Sequence, residues 1–130
     1  MRREIRCEES GCQIVLDATF IGEDILVAIY GGDQAHIGAV AISTPRKSLQ
    51  DGEKTSSSTS VFVYPGHKED DLAKNAAGKM AKILNKKIVL TCGIHLDAIT
   101  ASDIQRILKS VDCLVDEAVE RMGKLIQGRD

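Results

Sequence analysis

Residues 61–92, VFVYPGHKEDDLAKNAAGKMAKILNKKIVLTC, read as a strand, a helix and a second strand. VFVY (61–64) is a run of β-branched and aromatic residues stopped by PGHK, and KIVLTC (87–92) is another such run. Between them Leu72, Ala76, Met80, Ile83 and Leu84 recur at helical spacing, with Ala73, Ala77 and Ala81 as small neighbours that allow close packing. Glu69, Asp70 and Asp71 fall in the first turn, where the helix dipole favours acids. Two strands joined by a crossover helix run parallel when they share a sheet.

Upstream, CQIVLDATFI (12–21) places Ile14, Leu16, Ala18 and Phe20 on one face and Val15, Asp17, Thr19 and Ile21 on the other, the period of a strand. GED (22–24) turns the chain, and ILVAIY (25–30) and IGAVAIS (37–43) follow as further strands of an antiparallel meander. Residues 45–60, PRKSLQDGEKTSSSTS, hold almost no apolar side chain and read as a long mobile loop. Downstream, Thr100 or Ser102 caps a long helix. Its apolar stripe is Ile104, Ile107, Leu108, Val111, Leu114, Val115, Ala118, Met122 and Leu125, and Gly128 lies near its end. The expected fold class is α+β: a mostly antiparallel sheet of about six strands with two helices on one face.

At 130 residues the chain fits a single domain, 1–130. Its 17 basic and 19 acidic residues leave a net charge of −2, and no basic stripe is interleaved with aromatics, so nucleic acid is not an expected partner. The start, MRREIRC, is charged, and no apolar run approaches a membrane span or a signal-peptide core, so the expected location is the cytoplasm. Cys7, Cys12, Cys92 and Cys113 lack CxxC spacing and read as reduced thiols. Cys7 and Cys12 flank the turn at Glu9-Ser10-Gly11, but a disulfide there would need an oxidising compartment.

The three histidines each follow an apolar strand in a glycine-containing loop: His36 in GGDQAHIG (31–38), His67 in PGHK (65–68) and His95 in CGIHLD (92–97). In a meander, strands 25–30 and 61–64 run the same way, and the crossover makes 87–92 parallel to 61–64. All three histidines therefore meet at one edge of the sheet, with the 45–60 loop at the opposite end. Glycine lets backbone approach a ligand closely. Helix N-termini offer free N–H groups to an anion, with Lys68 nearby, whereas Asp33, Asp70 and Asp97 oppose one. Histidines with carboxylates suit a divalent transition metal by ligand type, although no HxxxH or HxH pair is present. Cys92 precedes His95 on one loop without an orienting third group, a weak basis for nucleophilic catalysis.

GGDQAHIGAVAIS, YPGHKED and TCGIHLDAIT, in this order and with a helix between the second and third, resemble the LpdD-like family of prenylated flavin chaperones. The resemblance extends from about residue 12 to residue 120, and no one of the motifs is diagnostic alone. It implies a fold akin to proteasome assembly chaperones and an accessory role beside a UbiD-type decarboxylase and a flavin prenyltransferase. It also implies prenylated flavin mononucleotide as the bound cofactor, held over Gly31, Gly32, Asp33, His36 and Gly38; Gly66, His67 and Lys68; and Gly93, His95 and Asp97. With two tyrosines, two phenylalanines and no tryptophan, ring stacking would rest on Tyr30 or Tyr64, which favours transient holding.

Two alternatives remain open at this point. The fold resemblance and the long C-terminal apolar stripe also suit a homodimeric interaction module of the assembly-chaperone type. Three converging histidines would suit a small metal-dependent enzyme.

Overall fold

The computed structural model describes residues 3–11, 13–65, 69–97 and 99–128. Six strands form one sheet: β1 (Glu4–Glu9), β2 (Ile14–Ile21), β3 (Asp24–Gly32), β4 (Ala39–Lys47), β5 (Thr55–Val63) and β6 (Ile88–His95). Helix α1 (Asp70–Leu84) joins β5 to β6, and α2 (Ala101–Gln127) follows β6. The order across the sheet is β1-β2-β3-β6-β4-β5. Only β3 and β6 pair in parallel. The other neighbours pair antiparallel. The architecture is the expected α+β class, a mostly antiparallel six-stranded sheet with two helices.

The meander is corrected in one respect: β6 lies between β3 and β4, which therefore do not touch. The directions survive, because a strand parallel to β3 and antiparallel to β4 leaves those two running opposite ways. The ends of β3, β5 and β6 and the start of β4 consequently share one rim of the sheet. The stretch expected as a loop at 45–60 is also corrected. Residues 45–47 close β4, 55–60 open β5, and only 48–54 connect them. Ser and Thr support extended backbone well, and pairing with β4 supplies the ladder that apolar patterning did not announce.

Alternate residues face a single core. Ile14, Leu16 and Ala18 of β2, Val27 and Ile29 of β3, Ala39 and Ala41 of β4, and Ile88, Leu90 and Cys92 of β6 are all fully buried. Helix α1 covers the β4, β5 and β6 side with Met80 and with Ala73, Ala77 and Ala81, and the small side chains of the three alanines let it lie close to the sheet. Ile83, expected on that face, is half exposed. Helix α2 covers β1 and β2, burying Ile107, Val111, Leu114, Val115, Ala118 and Met122. Burial of each large aliphatic side chain stabilises the fold by roughly 1.5–3 kcal/mol.

Caps fix the helix ends. The Thr100 hydroxyl accepts from the Asp103 backbone N–H at 3.1 Å, and the Asp103 carboxylate accepts from the Thr100 N–H at 3.0 Å, a closed capping box. Asn85 ends α1 in the left-handed region. Among buried residues Ser43 is the polar exception, and it is satisfied by the Thr59 hydroxyl at 2.8 Å.

Candidate functional site

The shared rim carries the described residues among those singled out from the sequence, and the acids and histidines of these fall into two clusters. In the first, β3 and β6 end side by side, with Gly32 opposite His95. His95 is thus the last residue of a strand rather than part of a loop. Its carbonyl accepts from the Asp33 N–H at 2.6 Å, and the Asp33 carboxylate accepts from the Asp97 N–H at 2.8 Å. The Asp97 carboxylate in turn lies 3.1 Å from His95 Nε2. Asp33, His95 and Asp97 therefore form one hydrogen-bonded group, largely open to solvent.

The second cluster is more enclosed. His36 Nδ1 donates to the Gln34 carbonyl at 3.1 Å, and Nε2 lies 2.9 Å from the Glu69 carboxylate. Both ring nitrogens thus lie within hydrogen-bond distance of protein oxygen atoms. The side chains of His36 and Glu69 are 23% and 12% exposed, so water competes little for this contact. The loop beneath is pinned by Gly38, whose N–H donates to the Cys92 carbonyl at 3.0 Å and whose carbonyl accepts from the Tyr64 N–H at 2.8 Å. Glu69 escaped the sequence reading because acids in a first helical turn need no tertiary explanation. It occupies the N-cap position of α1, yet its side chain makes no cap hydrogen bond.

Three of the rim glycines, Gly31, Gly32 and Gly93, sit where the backbone of a neighbouring segment leaves no room for a Cβ. Gly31 and Gly32 adopt φ of +149° and +76°, which bends the end of β3 between its neighbours. A Cβ on Gly31 would lie 2.9 Å from Ile14 Cα, and one on Gly32 would lie 2.9 Å from the His95 carbonyl carbon. A Cβ on Gly93 would overlap the His36 carbonyl group. Gly66, His67 and Lys68 lie outside the described residues, as does Cys12.

Other expectations resolve chemically. Among the described residues no group of three or more His, Cys, Asp or Glu is arranged to hold a metal ion. His36 and His95 each engage a different carboxylate instead. Cys92 is fully buried, and burial, with Glu69 adding to it, pushes its thiol up to about 12, so it is a core residue and a poor nucleophile. Cys7 is a free thiol, pushed up to about 11 by burial and then by Glu117. Tyr30 turns its hydroxyl to the Asp17 carboxylate at 2.6 Å, while Tyr64 stands half exposed beside the rim. Among the described residues no helix is long and apolar enough to cross a membrane.

Residues 8–123 match the family described as the prenylated flavin chaperone LpdD-like domain. The chain belongs to that family. Among curated relatives of this LpdD-like chain is Protein LpdD of Lactiplantibacillus plantarum, 29% identical over 97 residues that span 75% of this chain and 68% of that one. Among solved structures, a chain from a chaperone complex for yeast 20S proteasome assembly is similar at 9% identity and a TM-score of 0.48, over 88% of this chain and 98% of that one. The matched span runs from β1 through most of α2, so both clusters of the rim lie inside the LpdD-like domain.

Proposed function

We propose that the chain is a non-catalytic accessory protein that binds prenylated flavin mononucleotide at the rim and assists a UbiD-type decarboxylase supplied by a flavin prenyltransferase. Membership of the prenylated flavin chaperone family carries this reading. The flavin is cargo here, so the residues need to hold and release it rather than do chemistry on it.

The donor set suits one end of such a cargo. The polar edge of an isoalloxazine presents both acceptors and an N–H, and His36, His95, Asp33 and Asp97 offer both kinds of partner. Tyr64 is the ring placed to stack beside them. The carboxylates of Asp33, Glu69 and Asp97 repel a phosphate from their immediate vicinity. Glu69, Asp70 and Asp71 make the first turn of α1 equally acidic, so the phosphate end of the cargo points away from these carboxylates.

Co-expression with a flavin prenyltransferase, anaerobic purification and visible absorption spectroscopy test this. A flavin spectrum in the native protein, lost in a folded His36→Ala/His95→Ala variant, is expected. Colourless native protein, with or without the two partner enzymes, overturns the reading.

A homodimeric interaction module remains a second reading, but its support moves. Most of the C-terminal stripe is buried in the core, which leaves Ile104 and Leu108 exposed for such a contact. The uncovered sheet face can serve as well: Leu26, Val89 and Ile42 stand side by side across β3, β6 and β4, exposed, with Phe62 nearby at 68% exposure. Sedimentation of the native chain beside Ile42→Glu separates a dimer formed through this face from a monomer.

A further inference from the structure

The two edges of the sheet are guarded differently. Edge strand β1 alternates Glu4, Arg6 and Glu8 along its exposed side. Charges of this kind discourage pairing with another strand. Edge strand β5, Thr55–Val63, runs nine residues as TSSSTSVFV without a charge or a proline, and pairs with β4 alone. One margin of β5 therefore presents a row of backbone N–H and C=O groups with no partner strand.

A row of lysines overhangs this margin. Gly78 lets α1 settle onto β5: its carbonyl accepts from the Ser57 hydroxyl at 3.0 Å, and an added Cβ would lie 3.3 Å from both Ser57 Oγ and Thr59 Oγ1. Lys74 and Lys82 stand one turn to either side of Gly78, at four-residue spacing, and so share its face. With Ser56, Ser57, Thr59 and Gly78 they line a polar recess of about 410 Å³. Both lysines are exposed, and among the described residues neither is paired with a carboxylate. Lys79 differs: it turns to α2 and lies 3.0 Å from Asp112 and 2.5 Å from Asp116. Lys54 adds a further cation where β5 begins, and the acids Asp51 and Glu53 belong to the connection before it. Asp70, four residues before Lys74 on the same face, bounds this positive stretch at the start of α1.

We propose that β5 and the Lys74/Lys82 row form a strand-addition site for an extended, acidic segment of a partner protein. The added strand takes its main-chain hydrogen bonds from β5, and alternate acidic side chains meet the two lysines. A second copy fits less well, since a twofold axis across β5 sets the two lysine rows against each other. The recess lies along the first half of β5, away from the end of that strand that reaches the rim, and strand addition there does not depend on flavin binding.

The test uses the full chain and a pool of ten-residue peptides that alternate Glu with Val, Thr or Ile, beside a matched pool with Lys in place of Glu. Binding is read by isothermal titration, and protection of β5 amides by hydrogen exchange. The acidic pool is expected to bind with new protection confined to β5, and Lys74→Glu/Lys82→Glu is expected to weaken it by about tenfold or more. Peptides N-methylated on alternate residues are expected not to bind. Equal binding of the two pools, binding without protection of β5, or concentration-dependent protection of β5 by the chain alone overturns the proposal. None of these outcomes bears on the flavin spectrum.

Discussion

Replacing Gly93 with alanine tests whether the rim is held by close backbone packing. Gly93 lies in β6 under the loop that carries His36, and an added Cβ would fall within 3.0 Å of both the carbonyl carbon and the carbonyl oxygen of His36. Backbone atoms cannot swing aside as a flexible side chain does, so the 33–38 loop must lift. Lifting it strains the Gly38 N–H bond to the Cys92 carbonyl, worth about 1 kcal/mol, and the His36–Glu69 contact, worth about 1–2 kcal/mol. Overpacking in a closed site costs about 1–3 kcal/mol where the backbone gives only partly. Allowing for overlap among these, Gly93→Ala should destabilise the fold by roughly 2–4 kcal/mol, which lowers the urea midpoint by about 1–2 M. Urea unfolding followed by circular dichroism measures this. Gly52→Ala is the control, because nothing lies within 4 Å of its added Cβ, and its midpoint should not move. A Gly93→Ala protein as stable as the native chain would refute the account of the rim glycines as internal packing positions.

Two further outcomes follow from the caps and the thiols. Thr100→Ala removes one half of the capping box and should cost about 1 kcal/mol, read as a lower thermal midpoint. Hydrogen bonding from the Thr100 backbone, then from its side chain, holds the Asp103 carboxyl below its ordinary value of 3.8. A depressed carboxylate contributes stability that is fully present above 3.8 and lost as pH falls through its folded value. Protection of the first turn of α2, taken relative to the intrinsic exchange rate at each pH, should therefore fall on acidification below 3.8, and unchanged protection would contradict the cap. Alkylation of the folded protein near about pH 8 should modify exposed Cys113 and spare Cys7 and Cys92 until denaturant is added, as read by peptide mapping.

Much of the fold was legible because burial on one face imposes a period on the chain. The alternation at 14–21 and the helical spacing through α1 and α2 predicted their elements. The exact sheet order was not legible. Nothing local in KIVLTC says that it inserts between β3 and β4, because neighbours in a sheet are chosen by pairing between segments far apart in sequence. Strand β1 was missed since only Ile5 and Cys7 face inward between charges, too brief an alternation to stand out from a polar leader. Strand β5 was missed over 55–60 for the opposite reason, since a Ser/Thr run gives no apolar face to detect.

Of the rim, the sequence by itself put forward the candidates and the strand directions that place His36 and His95 at one edge, because direction follows from the crossover and survives the inserted strand. Only the tertiary structure decided how they group: His36 with Glu69, and His95 with Asp33 and Asp97. It also showed that Gly31, Gly32 and Gly93 sit where strands and loop pack backbone to backbone. The physical reason is that patterning reports which face of an element is buried, whereas a hydrogen bond between residues 36 and 69 depends on where whole elements are set against one another.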